Sequence, residues 1–223
     1  MSDILRIASF TVAMAALATL VILPPGVALA WLLARRQFPG RMVLATLVSL
    51  PLVLPPVATG LILIRLLGRR GPLGILLEPV GIEVMFTRLA VVLAMAVMGL
   101  PLLVRAAQAG FEQVDRRYEQ IAATLGAGPV RVFFTVSLPL AGRGVAAGAL
   151  LGFSRALGEF GATILLAGAL PSTRTIAVAI FTYNETGQEA AATAMVAVSA
   201  TIAFGALFLS NRLATSGPWR PAS

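Results

Sequence analysis

Three reactive side chains are missing from this 223-residue sequence, which contains no cysteine, no histidine and no lysine. Without cysteine there are no disulfides and no thiolate nucleophile, and without histidine there is no imidazole base. The same absences remove the usual ligands of zinc. All 17 basic residues are arginine, so a phosphate-binding loop of the Walker type, which requires lysine, is excluded. We therefore predict no catalytic site, no cofactor, no metal and no ATP hydrolysis by this chain itself.

Charged residues are also scarce, at 12% of the chain, whereas 58% of the residues are hydrophobic and the mean hydropathy is +0.93. About a quarter of the residues of a soluble domain are charged, so this composition indicates an integral membrane protein. A cleaved signal peptide does not explain it, because apolar segments recur toward the C-terminus. The net charge of +8 comes from arginines near the ends of apolar segments, which is typical of membrane topology rather than of nucleic-acid binding.

Long apolar windows predict the architecture, because a spanning helix needs about 20 predominantly apolar residues. The sequence predicts an all-α, polytopic membrane protein in which residues 1–223 form a single transmembrane domain. Its five predicted spans are residues 7–34, 42–67, 84–107, 144–166 and 190–209. Prolines predict a kink or break in two of them, at residues 24–25 of the first and at residues 51, 55 and 56 of the second. The apolar piece at residues 175–183 is too short to cross and predicts an outer-face helix or a partial re-entry.

Arginine placement predicts the orientation, since basic residues favour the cytoplasmic side. With five spans, the basic connection at residues 35–41, the arginines between residues 105 and 143 and the C-terminal arginines all fall on one side. The N-terminus is then outside and the C-terminus is cytoplasmic. The arginines at positions 65, 69 and 70 oppose this orientation, because they follow the second span on its outer side.

The polar stretch at residues 119–139 lies between two apolar windows and predicts a helix-turn-helix elbow joined to a membrane helix. Its first part contains good helix formers, and Gly126 begins a glycine- and proline-rich stop. Ala122, Ala123 and Gly126 would form a surface of small residues beside an apolar stripe that includes Leu125. Such a helix either lies in a groove of a partner or rests at the headgroup boundary of the membrane, and both interpretations remain open.

The fourth predicted span carries two charged residues, Arg155 and Glu159, which are four positions apart and can pair on one helix face. Charges at membrane depth are costly, so pairing or contact with a wet cavity is expected. We favour a structural ion pair, and the alternative is a role in a transport pathway. The candidates for a pathway or gate are Pro55, Ser154, Arg155, Glu159 and Thr163. Glycines at four-residue steps on the same span predict a packing seam or a contact between subunits: Gly144, Gly148 and Gly152.

The elbow resembles the cytoplasmic coupling loop of bacterial ABC importer permeases, whose pattern is Glu-Ala-Ala, three residues, Gly, nine residues, Ile-x-Leu-Pro. Here Gln120-Ile121-Ala122, Gly126 and Val136-Ser137-Leu138-Pro139 keep both spacings. Gln120, Ile121 and Val136 depart from the pattern, and Glu119 stands one position before the expected acid. Further stretches look like the permease subunits of molybdate importers, namely residues 34–41, 50–56, 68–72 and 155–163.

This resemblance implies a type I ABC importer permease fold in the bacterial inner membrane, working by alternating access. The implied partners are two ATP-binding cassette ATPase subunits, a second permease copy in a homodimer, an extracytoplasmic molybdate-binding protein and the lipid bilayer, with no nucleic acid. Coupling to the ATPase is then expected at Glu119, Gln120, Ala122, Ala123, Leu125, Gly126, Leu138 and Pro139. Whether Glu119 or Gln120 meets the ATPase stays open. Tungstate or sulfate is the alternative substrate, and a self-contained channel or secondary carrier is the alternative of a different class.

Overall fold

A computed structural model of the chain describes residues 2–215, and this part of the chain is helical with no β-strand. Four segments are short: α4 (Pro72–Leu77), α6 (Arg116–Thr124), α7 (Pro129–Val132) and α9 (Gly161–Ala167). The longer helices are α1 (Ser2–Arg35), α2 (Arg41–Val53), α3 (Pro56–Leu67), α5 (Arg88–Glu112), α8 (Leu138–Leu157), α10 (Ile176–Glu185) and α11 (Glu189–Thr215). In the described residues, four helical stretches are long and apolar enough to cross a membrane: Asp3–Arg35, Arg88–Glu112, Pro129–Leu157 and Glu189–Arg212.

The second predicted span is a bent pair of helices, α2 and α3, whose axes differ in direction by 115°. The break falls at Leu54 and Pro55, which both adopt extended backbone angles. Proline disfavours helical angles in the residue before it, so the pair Pro55-Pro56 stops α2 and starts α3. Counted as one span, the pair brings the total to five, in agreement with the predicted architecture.

The two ends of this bent pair lie at opposite ends of the bundle. At the start of α2, Arg41 Nε donates to the carbonyl of Leu33 near the end of α1, at 2.9 Å. At the end of α3, Leu67 lines the same cavity as Val84 and Phe86, just before α5 begins. The α2–α3 pair is therefore one crossing with a bent middle and not a loop that returns to its own side.

The first predicted span differs from expectation, because α1 is one helix from Ser2 to Arg35 despite the prolines at positions 24 and 25. Each proline removes one backbone donor, but packing on α5 holds the segment. A Cβ atom added to Gly26 would lie 2.5 Å from the side chain of Leu103, and the next residue, Val27, is buried. Neighbouring helices commonly compensate proline in membrane helices in this way.

The fourth predicted span also differs, because its helix begins at Pro129 rather than near residue 144 and ends at Leu157. The second half of the elbow is part of this rod: α7 passes through a π-helical turn at Phe133–Ser137 into α8. Pro139 lacks the backbone donor of a regular helical turn, and a π-turn accommodates such a defect without ending the helix. Residues 158–166, predicted as the end of this span, instead form a break followed by most of α9.

The glycine seam predicted on the fourth span lies within the chain, where α8 packs on the central helix α5. A Cβ atom on Gly144 would lie 2.6 Å from the Cα atom of Gly110, and one on Gly148 would lie 2.8 Å from the carbonyl oxygen of Leu103. Gly152 likewise meets the backbone of Gly99. The absence of side chains therefore brings the two helix backbones into direct contact.

The short apolar piece at residues 175–183 forms α10, which packs at the end of the bundle opposite the elbow. Thr11 of α1 accepts a hydrogen bond from the backbone amide of Ile176 at 2.9 Å. Ile7 and Met195 bury the same face of the helix. With ten residues, α10 is too short to cross a bilayer.

Candidate functional site

The elbow begins with α6, and local capping explains both of its ends. The Asp115 side chain accepts a hydrogen bond from the first turn, as expected of a helix N-cap. At the other end, the amide of Gly126 donates to Ala123 and the amide of Ala127 donates to Ala122, each at 3.0 Å. This is a Schellman motif, and Gly126 occupies its left-handed position with φ +87°. Gly126 therefore serves to turn the chain at the end of α6.

The face of the elbow that points away from the helix bundle is apolar and is not covered by other described residues. No residue of α6 is buried, and Leu125 is 82% exposed. We call the following exposed side chains the elbow surface: Tyr118, Ile121, Leu125, Val130 and Phe134. Of the predicted coupling residues, Gln120, Ala123, Gly126 and Pro139 are exposed, whereas Ala122 and Leu138 are half-buried.

Glu119 differs from its neighbours in α6 because it is turned toward the bundle. Its Oε1 atom lies 3.0 Å from Arg35 Nε at the end of α1 and accepts a hydrogen bond from Ser137 Oγ at 2.7 Å. Arg35 also donates through Nη2 to the carbonyl of Val114 at 2.8 Å. The Arg35 side chain is 7% exposed and that of Glu119 is 20% exposed. We call Arg35, Glu119 and Ser137 the elbow cluster.

Phe133 ties the second half of the elbow to the bundle. Its ring packs edge-on against Trp31 of α1, with 5.5 Å between centroids, and stacks on Phe111 of α5 at 6.2 Å. The π-helical turn that begins at Phe133 is thus held from two sides. Both halves of the elbow therefore contact α1.

The charged break between α8 and α9 contains the ion pair that we favoured from the sequence. Arg155 Nη1 lies 2.8 Å from Glu159 Oε2, and the Glu159 side chain is 1% exposed. The second carboxylate oxygen accepts a hydrogen bond from the amide of Ala162 at 2.8 Å. Glu159 thereby satisfies the first turn of α9, a role that the sequence analysis did not predict.

The other candidate pathway residues differ in their contacts with this break. The turn at Pro55 and Pro56 touches it directly, since a Cβ atom on Gly161 would lie 2.8 Å from the Cβ atom of Pro56. Thr163 is fully buried and its hydroxyl has no hydrogen-bond partner. Ser154 bonds to the carbonyl of Leu150 in its own helix at 2.8 Å. The structure therefore brings the break between α2 and α3 against the break between α8 and α9, while the Ser154 hydroxyl is bonded within its own helix.

The sequence analysis missed the partners of Glu119. Ser137 is a variable position of the loop pattern, and Arg35 is one of several basic residues in the connection at residues 35–41. The available signal was charge: Glu119 is an acid in an elbow flanked by arginines, and Arg35 closes an apolar span. That signal indicates a pairing without selecting among the arginines.

Comparison with known proteins gives a consistent family. Residues 26–215 match the family described as "Binding-protein-dependent transport system inner membrane component". The molybdenum transport system permease protein ModB of Escherichia coli K12 is 47% identical over 201 residues, covering 89% of this chain and 88% of that protein. A probable molybdenum ABC transporter permease protein of Haloferax volcanii is 44% identical over 218 residues, covering 97% of this chain and 77% of that protein.

Solved structures with low sequence identity share the fold. A bacterial alginate ABC transporter, crystallised with an alginate-bound periplasmic protein, gives a TM-score of 0.73 at 18% identity and covers 95% of this chain and 78% of its own. The MetNI methionine ABC transporter, in inward-facing conformations, gives 0.71 at 15% identity and covers 96% of this chain and 95% of its own.

Proposed function

Because the chain belongs to the family of binding-protein-dependent transport system inner membrane components, we propose that it is the permease subunit of an ATP-driven importer of molybdate. The observation that carries the substrate is the 47% identity to a molybdenum permease over 89% of the chain. ATP hydrolysis belongs to separate subunits, since the chain has no lysine for a phosphate-binding loop. The permease moves the oxyanion by alternating access.

The elbow surface is the docking site for the ATPase in this proposal. It consists of exposed apolar side chains, and the small exposed residues Ala123 and Gly126 of the same elbow let a second protein approach closely. Gln120 is exposed on the same short helix and is available to the partner. A symmetric homodimer of the permease gives each of two ATPase subunits one elbow.

Docking of a cytoplasmic ATPase sets the orientation of the chain. The last part of α11 lies near the elbow, because Ser210 lines the same cavity as Asp115 and Tyr118. The N-terminus of α1 lies at the opposite end, next to α10. The C-terminus is then cytoplasmic and the N-terminus outside, where the binding protein delivers molybdate. The arginines on the outer side oppose this orientation less strongly than their number suggests, because Arg69 pairs with Glu83.

The two contacting breaks, one between α2 and α3 and the other between α8 and α9, are the gate in this proposal. They comprise the turn at Pro55 and the segment from Arg155 to Thr163. The ion pair with Glu159 offsets the charge of Arg155, whose side chain is 25% exposed. Molybdate is a dianion, and a site that held it tightly would slow its release. A partly neutralised arginine thus suits passage better than a free one.

Reconstitution tests the proposal. We expect labelled molybdate to enter proteoliposomes only when permease, ATPase, binding protein and ATP are all present. Excess tungstate should compete more strongly than sulfate. Molybdate entry through the purified permease alone would contradict the proposal and favour a self-contained channel or carrier.

A substitution at the Schellman glycine tests the docking site. Gly126→Ala forces an L residue to adopt φ +87°, which costs about 1–2 kcal/mol. The fraction of elbows with the docking geometry falls accordingly, so we expect the affinity for the ATPase to fall about five- to thirtyfold. The measurement is binding of purified ATPase to the permease in nanodiscs.

Gly128→Ala is the matched control for this experiment. Gly128 lies two residues further on with φ −67°, and an added Cβ atom there has nothing within 4 Å. Its affinity for the ATPase should stay at the wild-type value. Equal binding by the two variants would show that the left-handed turn does not matter for docking.

A further inference from the structure

We infer that Glu119 is a positioning residue that fastens the elbow to α1, so that α1 moves with the elbow, and that it is not a contact to the ATPase. This inference rests on the proposed function, since it assigns the path by which elbow displacement reaches the bundle. It concerns three atoms: one carboxylate oxygen of Glu119, the Nε atom of Arg35 and the hydroxyl of Ser137.

The geometry of the elbow cluster commits Glu119 to its own chain. Oε1 is approached from two sides, by Arg35 at 3.0 Å and by Ser137 at 2.7 Å. These partners come from the end of α1 and from the π-helical turn before α8, while Glu119 belongs to α6. One carboxylate therefore joins three elements. The adjacent residue Gln120 is exposed and makes no comparable contact, so the two positions have different roles.

Burial makes this contact stronger than an ordinary surface ion pair. The Arg35 side chain is 7% exposed, and surface pairs lose most of their strength to solvent screening and side-chain entropy. Arg35 is further oriented by its hydrogen bond to the carbonyl of Val114. Loss of the Glu119 charge would leave a nearly buried guanidinium without its counter-charge. The fastening is therefore specific to a carboxylate at this position.

A second contact makes α1 the element that receives the motion. Trp31 and Arg35 are four residues apart and share one face of α1. Trp31 packs against Phe133 of the π-helical turn, and Arg35 pairs with Glu119 of α6. Both halves of the elbow thus hold the same stripe of one helix. If the elbow moved while the end of α1 stayed in place, both the aromatic contact and the ion pair would have to break.

The first test replaces Glu119 by glutamine, which keeps its size and removes its charge. We expect the reconstituted Glu119→Gln complex to bind the ATPase within about twofold of wild type and to hydrolyse ATP. The number of molybdate ions imported per ATP should fall at least about tenfold. Gln120→Ala is the contrasting variant, which should weaken ATPase binding and keep the wild-type ratio. Loss of ATPase binding in Glu119→Gln, or an unchanged ratio, overturns the inference.

The second test restores the fastening covalently and separates it from folding. The chain has no cysteine, so Arg35→Cys with Glu119→Cys introduces the only two thiols of the permease. A short thiol-to-thiol cross-linker is added before assembly with the ATPase. The cross-linked protein should import more molybdate per ATP than the same preparation left unlinked. Equal ratios before and after cross-linking overturn the inference.

Failure of the proposed function gives a different pattern. A wild-type complex with no ATP-dependent molybdate uptake overturns the proposed function and the inference with it. Normal coupled uptake by wild type together with normal coupling in Glu119→Gln overturns the inference alone.

Discussion

Replacement of Glu159 by leucine is expected to lower the free energy of unfolding by about 3–5 kcal/mol, because it removes one partner of a buried ion pair. Glu159 is 1% exposed and lies 2.8 Å from Arg155, so the variant leaves an arginine without its counter-charge beside the break. It also removes the acceptor for the amide of Ala162. The measurement is reversible unfolding of the detergent-solubilised permease in a denaturing detergent.

Two companion variants divide this loss into charge and hydrogen bonding. Glu159→Gln keeps an oxygen for the amide of Ala162 and should be less damaging than leucine. The double variant with leucine at both Arg155 and Glu159 leaves no unpaired charge and should recover most of the loss. Its remaining deficit should be near the value of a helix cap, about 1 kcal/mol. A single leucine variant as stable as wild type would show that the ion pair contributes nothing to the fold.

Gly144→Leu is expected to prevent the correct packing of α8 on α5. The added Cβ atom would lie 2.6 Å from the Cα atom of Gly110, and backbone cannot move aside as a flexible side chain does. Overpacking of a core commonly costs about 1–3 kcal/mol and more where nothing can yield. We therefore expect the yield of monodisperse permease extracted from membranes to fall sharply relative to wild type.

Gly142→Leu is the control on the same helix, two residues away. A Cβ atom at Gly142 has nothing within 4 Å, so the yield and thermal midpoint of this variant should stay close to wild type. Similar losses in both variants would show that leucine is poorly tolerated throughout this part of α8, rather than at the seam.

Local patterns in the sequence were enough to predict the elbow and most of the long helices. Good helix formers followed by Gly126 predicted the end of α6, because a left-handed turn is a local property of a few residues. Apolar windows likewise located α1, α5 and α11. The prolines at positions 55 and 56 predicted a break, because their effect on the preceding residue is also local.

The remaining features depend on contacts between distant residues. Glu119 and Arg35 are 84 positions apart, and no periodicity connects them. The break at Glu159 contains no proline, and the Glu159 carboxylate holds it together by accepting a hydrogen bond from Ala162 in α9 and pairing with Arg155 in α8. The helix that begins at Pro129 was missed because Pro139 predicts a boundary between the elbow and the next span, whereas a π-helical turn carries the helix through this position and packing of Phe133 stabilises the turn.

The glycine seam also decides which kind of motion the bundle permits. Packed helices shear past one another when side chains at their interface can exchange neighbours. Between α5 and α8 the meeting surfaces are backbone at Gly110, Gly144 and Gly148, so a shift along the axis would drive main-chain atoms into collision. The two helices therefore form one rigid unit. Bending therefore falls to the break at Pro55, to the break that follows Leu157, and to α2, a helix in which no residue is buried.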